Sequence, residues 1–274
     1  MTVTEPRLHA DDVHPSAPLR HGAYICLRLP ADAAARRRLA NLDVPALAAR
    51  CGLRNEFETA EPAETIAFVR RLAATAGDIA DEALLATEAI VHVAAPTAQS
   101  VLTFRAELGR LVQPTVEPHV LGGVVRPLSF TGNAMHNFAY AHRVLQQPGP
   151  RMPNAFLLPL RKTDAWWAKD WLERHTYFLP RYDEHGQLRA RGHALAAEAG
   201  IACLLRRTYK HPTEPAPPGA YDFLTYFECA DEDVATFHQV CAALRNVADN
   251  PEWAYVQEGP TWHGRRVATW AELF

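Results

Sequence analysis

DEHGQLRARGHALAAEAG, residues 183–200, runs without a break into IACLLRRTYKH, residues 201–211. The first stretch is read as a helix and the second as the strand that follows at once. On that helix Ala196 and Ala197 lie three and four positions after His193, and Ala190 lies three before it, so all share its face. An imidazole standing alone on a face of alanines leaves room for a flat macrocycle, because larger side chains would hold a ring away from the nitrogen. Haem iron is commonly held by one neutral His, and the residues on the opposite face then decide the chemistry. Arg206, thirteen positions further on, could be delivered to that opposite face by the strand. From this stretch alone, an Ala-rich surface helix with an incidental His is the more ordinary reading.

Arg206 and Arg207 are adjacent in the strand and therefore point to opposite faces of a sheet. Arg206 shares its face with Ala202, Leu204 and Thr208, and a guanidinium in such surroundings needs an anion, a ligand or water. The other reading is an edge strand with both arginines in solvent.

Composition bounds the remaining possibilities. A chain of 274 residues holds one large domain or two small ones, with enough apolar content for a core. With 28 basic and 31 acidic residues, no nucleic-acid partner is implied. No run approaches eighteen apolar residues, so no membrane span is expected. Residues 1–20 lack an apolar core segment and read as a polar tail, not a signal peptide. The five cysteines, Cys26, Cys51, Cys203, Cys229 and Cys241, are odd in number and show no CxxC spacing. They read as reduced thiols of a cytoplasmic protein. The thirteen histidines form no HExxH, and no GxGxxG, Walker loop or GxSxG is present.

Along the chain, GAYICLRL (22–29) reads as a strand, followed by helical segments to about residue 76. In the last of these, opened by Pro62, Ile66, Val69 and Leu72 fall on one helical face. EAIVHVAA (88–95) reads as a strand, and Pro96 opens a helix with Val101, Phe104, Leu108 and Leu111 at helical period. HVLGGVVRPLSF (119–130) reads as a strand with a bulge at Gly122-Gly123. QQPGPRMP (146–153) is the best linker candidate. The second half repeats the alternation. FLLPL is a strand, residues 166–200 are mostly helical, and residues 201–211 pair with 221–229 across a proline-rich loop that adds no strand. A helix over 231–248 carries Val234, Phe237, Cys241, Leu244 and Val247 on one face, and WAYVQEG (253–259) closes the set as a last strand. The expected fold is α+β: two tandem ferredoxin-like lobes, residues 21–145 and 146–274, forming a β-barrel with helices outside.

NAFLLPLRKTDAWW (154–167) resembles the chlorite dismutase family, whose members carry an apolar strand ending in Pro-x-Arg/Lys-Lys and then Trp-Trp. DFLTYFE (222–228) is similar to a second strand of that family, and the spacing from His193 to Arg206 matches its proximal His and distal Arg. The resemblance covers residues 154–264 well and the first half poorly. It implies two ferredoxin-like lobes per subunit, with haem b in the C-terminal lobe only, and a homo-oligomer, pentamer or dimer. It implies His193 as the iron ligand and Arg206 as the catalytic residue that holds an anion while chlorite is converted to chloride and dioxygen. Lys162, Trp166 and Trp167 would lie beside the haem propionates and edge, and Thr225 and Phe227 would wall the distal pocket. The acceptor for the second nitrogen of the proximal His would be Asp249, with Glu252 as the other candidate.

Two departures from the family pattern bear on function. Trp167 and His193 are 26 positions apart, more than is usual in the family. The extra segment AKDWLERHTYFLPRY (168–182), with its own His175 as a rival ligand, is expected to reshape the substrate entrance. Coproheme decarboxylases are also similar, but have Tyr where Leu158 stands and Gln where Arg206 stands, so decarboxylation is not implied. The expected substrate is a small anion or oxidant. A haem enzyme of specialised metabolism with peroxidase-like or N–O chemistry is the alternative, and a non-catalytic haem or gas binder is a second.

Overall fold

AIVHVAA at residues 89–95 is buried at every position, which a strand can be only when both faces of its sheet are covered. That condition describes most of the molecule. The computed structural model describes residues 21–55, 65–113, 115–125, 152–200 and 203–274. The tail at 1–20, the expected linker as far as residue 151, and Ala202 lie outside them. The first half contains β1 (His21–Leu27), α1 (Ala33–Ala40), α2 (Val44–Arg50), β2 (Arg54–Asn55), β3 (Thr65–Thr75), α3 (Glu82–Leu85), β4 (Ala89–Ala95), α4 (Ala98–Val112) and β5 (His119–Val125). The second half begins with β6 (Asn154–Lys162), α5 (Asp164–Trp167), α6 (Trp171–Thr176), β7 (Arg181–Tyr182), β8 (Leu188–Ala190) and α7 (Gly192–Ala196). It ends with β9 (Leu205–Lys210), β10 (Phe223–Cys229), α8 (Val234–Arg245), β11 (Val256–Glu258) and β12 (Thr261–Val267).

The main strands of the first half lie in the order β5-β1-β4-β3, and those of the second in the order β9-β10-β6-β12. Each is antiparallel, and each places its fourth and third strands around its first, the ferredoxin-like arrangement. The halves meet at two seams, β5 on β9 and β3 on β12, so the eight strands close into a ring. Closure removes the sheet edges that would otherwise need protection. The α+β reading with two tandem ferredoxin-like units is therefore borne out.

Alternation along the strands then makes three cores. Val69, Leu157, Leu224 and Trp262 face the ring interior, together with a stack of Tyr24, His92 and Tyr226. Glu228 enters this interior as an ion, held at 2.8 Å by Arg266 and at 2.8 Å by the Tyr226 hydroxyl, which donates to it. Outside the first half, Ile66, Phe68, Val91 and Phe104 pack beneath α1, α2 and α4. Outside the second half, Phe156, Phe227 and Leu204 pack against Phe237, Val240 and Leu244 of α8.

Several local expectations are corrected. Residues 65–75 form strand β3, not a helix: Ile66 and Val69 belong to opposite faces of the sheet, one in the outer core and one in the ring interior. The third residue of the supposed helical face, Leu72, is 52% exposed. Residues 183–200 are not one helix. The Asp183 carboxylate accepts from the backbone N–H of His185 and Gln187, and Gly186 sits at φ +74°, so the chain turns back into the β7–β8 hairpin. Only residues 192–196 are α-helical, and Ala190 belongs to β8. No bulge interrupts Gly122-Gly123 in the register with β1. The glycine at 123 instead permits close packing at the seam, because a Cβ there would lie 2.6 Å from the Lys210 carbonyl oxygen. The sequence reading stopped one strand short, since β12 follows the short β11 and makes the second seam.

Gly22 is the tightest point of the ring: a Cβ there would stand 2.3 Å from the Tyr209 ring, whose hydroxyl is tied to His92 Nε2 at 3.0 Å. Gly22→Ala is expected to destabilise the protein by about 1–3 kcal/mol. Differential scanning calorimetry should show a Tm lower by roughly 2–10 °C. An unchanged Tm would mean that Tyr209 repacks freely.

Candidate functional site

His193 stands on a helix of five residues, too short to be stable alone, so its position is set by what holds the helix ends. The orphan N–H groups of the first turn find tertiary carbonyls in place of a side-chain cap. Gly192 N donates to the Asp249 oxygen at 3.0 Å, His193 N to Tyr177 O at 3.3 Å and Ala194 N to Phe178 O at 3.1 Å. Gly192 has φ +65°, and a Cβ there would lie 2.4 Å from the Leu179 carbonyl oxygen. The segment 168–182, expected to shape an entrance, therefore also anchors the helix that carries His193.

The His193 ring is buried, and its Nδ1 meets Glu252 Oε2 at 2.7 Å. The other oxygen of Glu252 accepts from Lys162 Nζ at 2.6 Å, and both side chains of this pair are about 5% exposed or less. Burial alone would raise the Glu252 carboxyl, but Lys162 and His193 outweigh it and hold it well below the usual carboxylate range. For His193, burial lowers the imidazole, and Arg206 and Lys162 add to that, against Glu252 which opposes it. The ring is thus neutral at neutral pH. With Nδ1–H donating to the carboxylate, Nε2 is left as the basic nitrogen, the form a metal ligand requires.

This places two expected residues differently. The Asp249 side chain does not meet His193; it accepts from the backbone N–H of Arg191 at 3.0 Å and pairs with that guanidinium at 3.3 Å. Glu252 has the place instead, because Pro251 starts a 3-10 turn that carries residue 252 inward while 249 remains at the start of the His193 helix. Lys162 is committed to Glu252, with its ammonium 4.0 Å from the Trp166 ring centroid. It lies within the network of Glu252 and His193.

His193 opens on a cavity of about 1270 Å³ counting its mouth. Its floor is one face of the sheet: Leu158, Leu160 and Lys162 of β6, Phe223, Thr225 and Phe227 of β10, and Arg206 and Thr208 of β9. Arg207 and Tyr226, which pair across the same two strands, belong to the opposite face. On the helical side, Ala194, Ala197 and Gly200 leave space beside His193, whereas Ala196 packs into the core under α8. Arg206 has its guanidinium carbon 6.0 Å from the Phe227 ring. Trp166 is buried, edge-on to Tyr177 at 5.5 Å, and serves as an anchor as well as a wall. Trp167 lines the cavity with an indole N–H that is buried and has no hydrogen-bond partner among the described residues. Arg174, His175 and Phe178 of the segment 168–182 also line it, and sequence reading had assigned only His175 a possible role there. His175 is half-buried, and its Nδ1 lies 2.9 Å from the Trp171 carbonyl oxygen.

Breaking a buried ion pair from one side leaves a bare charge and costs about 3–5 kcal/mol, while replacing both partners costs much less. Glu252→Gln should therefore be more destabilising than the double variant Lys162→Met/Glu252→Gln. Urea unfolding of the four proteins in the cycle checks this, and strictly additive losses would contradict the pairing.

No protein-family model and no curated protein matches this sequence. Solved structures do match it in shape. A chlorite dismutase from Candidatus Nitrospira defluvii, as a tryptophan-to-phenylalanine variant in complex with cyanide, is similar with a TM-score of 0.62 and 19% identity, over 92% of each chain. An arginine-to-lysine variant of that protein gives a TM-score of 0.63 and 19% identity over 93% of each chain. Its complex with imidazole gives 0.61 and 17% over 92% of each. The similarity takes in both halves of the chain, including the first, where the sequence resemblance was weak. This chain has the fold of the chlorite dismutases.

Proposed function

We propose that the protein is a haem b oxidoreductase that acts on a small anionic oxidant, with chlorite as the first candidate. The observation that carries this reading is His193 itself: a buried, neutral imidazole with Nδ1 committed to Glu252, opening on a largely apolar cavity that Arg206 also lines. Among the described residues no group of three or more His, Cys, Asp or Glu could hold a metal ion. A metal at His193 would need its remaining ligands from a macrocycle, and the largely apolar cavity beside the ring is where one would sit. The unpartnered indole N–H of Trp167 supplies a donor for a group at the edge of such a ring.

When bound, the haem would supply the redox-active iron at which a chlorine–oxygen bond of chlorite is broken, with chloride and dioxygen as products. The protein's own residues do the rest. Glu252 draws on the Nδ1 proton and makes His193 a more electron-rich ligand. Lys162 keeps that carboxylate ionised. Arg206 provides a fixed cation where negative charge moves between oxygen atoms, the kind of preorganised stabilisation that is worth most in an apolar site. Leu158, Leu160, Phe223 and Phe227 keep water from the reacting anion. Among the described residues no tyrosine lines the cavity, and by the sequence resemblance Leu158 stands where coproheme decarboxylases have Tyr.

A second reading keeps the haem and changes the substrate to a peroxide or an N–O compound. It is favoured by Arg174, His175 and Phe178, which the segment 168–182 adds to the wall. A homo-oligomer belongs to the same proposal. No helix among the described residues is long and apolar enough to cross a membrane.

His193→Ala should abolish the Soret band of haem-loaded protein or shift it to that of a weakly held, water-ligated haem. The assignment fails if the spectrum is unchanged and His175→Ala destroys it instead.

Arg206→Ala should keep the haem and weaken anion binding to the ferric form roughly ten- to hundredfold, the worth of one hydrogen bond to a charged group. In an oxygen electrode, wild-type protein should release dioxygen from chlorite without an added electron donor, and Arg206→Ala should slow the release. Bleaching with no oxygen burst would remove chlorite and leave the second reading in front.

A further inference from the structure

Among the cations that line the cavity, two are matched at close range by acids. Lys162 is held by Glu252, and Arg245 by both oxygens of Glu258 at 2.8 and 2.6 Å. Arg174 is not. Among the described residues no acidic side chain pairs with it, and its Nε is buried without a hydrogen-bond partner. Its guanidinium carbon lies 5.4 Å from the Trp167 ring centroid, a contact that fixes the cation on the indole. The indole N–H of Trp167 is itself buried and has no partner among the described residues.

Two buried donors on adjoining helices, both lining one cavity and both unsatisfied, are costly unless an acceptor enters between them. A planar guanidinium with an N–H beside it suits a carboxylate, which can take two donors at once. Both donors come from the region where this chain carries its extra segment: Trp167 precedes it and Arg174 lies in α6 within it.

We propose that Arg174 and Trp167 form a carboxylate-binding site at the rim of the His193 cavity. The carboxylate comes either from a propionate of the macrocycle, in which case the site rests on the haem reading, or from a carboxylate-bearing substrate. In both cases the site does the work that Lys162, locked into the proximal network, does not.

The test has two arms. In the first, protohaem and its dimethyl ester, which lacks both free carboxylates, are titrated into wild type, Arg174→Ala and Trp167→Phe, and absorbance is followed. In the second, benzoate is titrated into the haem-free and haem-loaded forms of the same proteins by calorimetry. A roughly tenfold or greater loss of protohaem affinity in Arg174→Ala, with the ester little changed, assigns the carboxylate to the macrocycle. A similar loss of benzoate affinity with unchanged protohaem affinity assigns it to a substrate. Trp167→Phe keeps the ring and removes the donor, so it should move in the same arm as Arg174→Ala by a smaller factor. Equal losses for protohaem and ester with benzoate unaffected would show packing alone and overturn the site, as would no change in either arm. If the wild type takes up neither macrocycle, the haem reading fails, and benzoate binding to the haem-free protein decides the carboxylate site separately.

Discussion

A buried carboxylate between a buried lysine and a buried histidine is the interaction around which this site is organised. Glu252 could not remain ionised in that position without Lys162, because desolvation of a lone carboxylate exceeds anything the apolar surroundings return. Once both are present, the second carboxylate oxygen has one strong donor within reach, His193 Nδ1 at 2.7 Å. That bond sets the tautomer and leaves Nε2 as the basic nitrogen. The chemistry proposed for the cavity rests on this single orientation.

The arrangement draws on distant parts of the chain. Lys162 ends β6, His193 sits on α7, and Glu252 lies on the 3-10 turn after α8. The ring of strands fixes the first, through pairing of β6 with β10, β11 and β12. The carbonyls of Tyr177, Phe178 and Asp249 fix the second. Asn250 fixes the third: it is fully buried, and its side-chain amide donates to the Leu244 carbonyl at 2.8 Å. A rigid sheet beneath short, tertiary-held helices is a workable division of labour. The sheet holds Arg206, Thr225 and Phe227, while the helix α7 presents His193.

The two halves of the chain share a topology and differ in what covers their outer faces. In the first half, α1, α2 and α4 close over a continuous apolar core. In the second, α8 is the described helix that packs fully on the sheet, and the shorter α5, α6 and α7 leave the cavity between themselves and β6, β9 and β10. A pocket exists because the covering layer there is broken into short pieces. The extra segment 168–182 both supports the His193 helix and lends Arg174 and Phe178 to the wall, so helix support and cavity lining are combined in one stretch.

The face alternation of β9 and β10 was legible in the sequence, since a period of two fixes which side chains share a face wherever the strand runs. Arg206, Thr208, Thr225 and Phe227 fall on one wall for that reason alone. The helix proposed for 183–200 was not legible as the hairpin it is, because the Asp183 side chain and Gly186 redirect the backbone locally against a helical pattern of small residues. Ile66 and Val69 share a helical face but occupy opposite faces of a strand, and only ring closure, which covers both sides of β3, decides between the two. The exchange of Asp249 for Glu252 is of the same kind. Both acids lie near the expected position in sequence, and the 3-10 turn at Pro251, together with the demand of buried Lys162 for a counter-ion, selects the one that faces inward. Short-range pattern thus determined which residue types stand on which element. Long-range pairing decided which of them meet, because hydrogen bonds and ion pairs between residues some sixty to ninety positions apart leave no periodic trace in the chain.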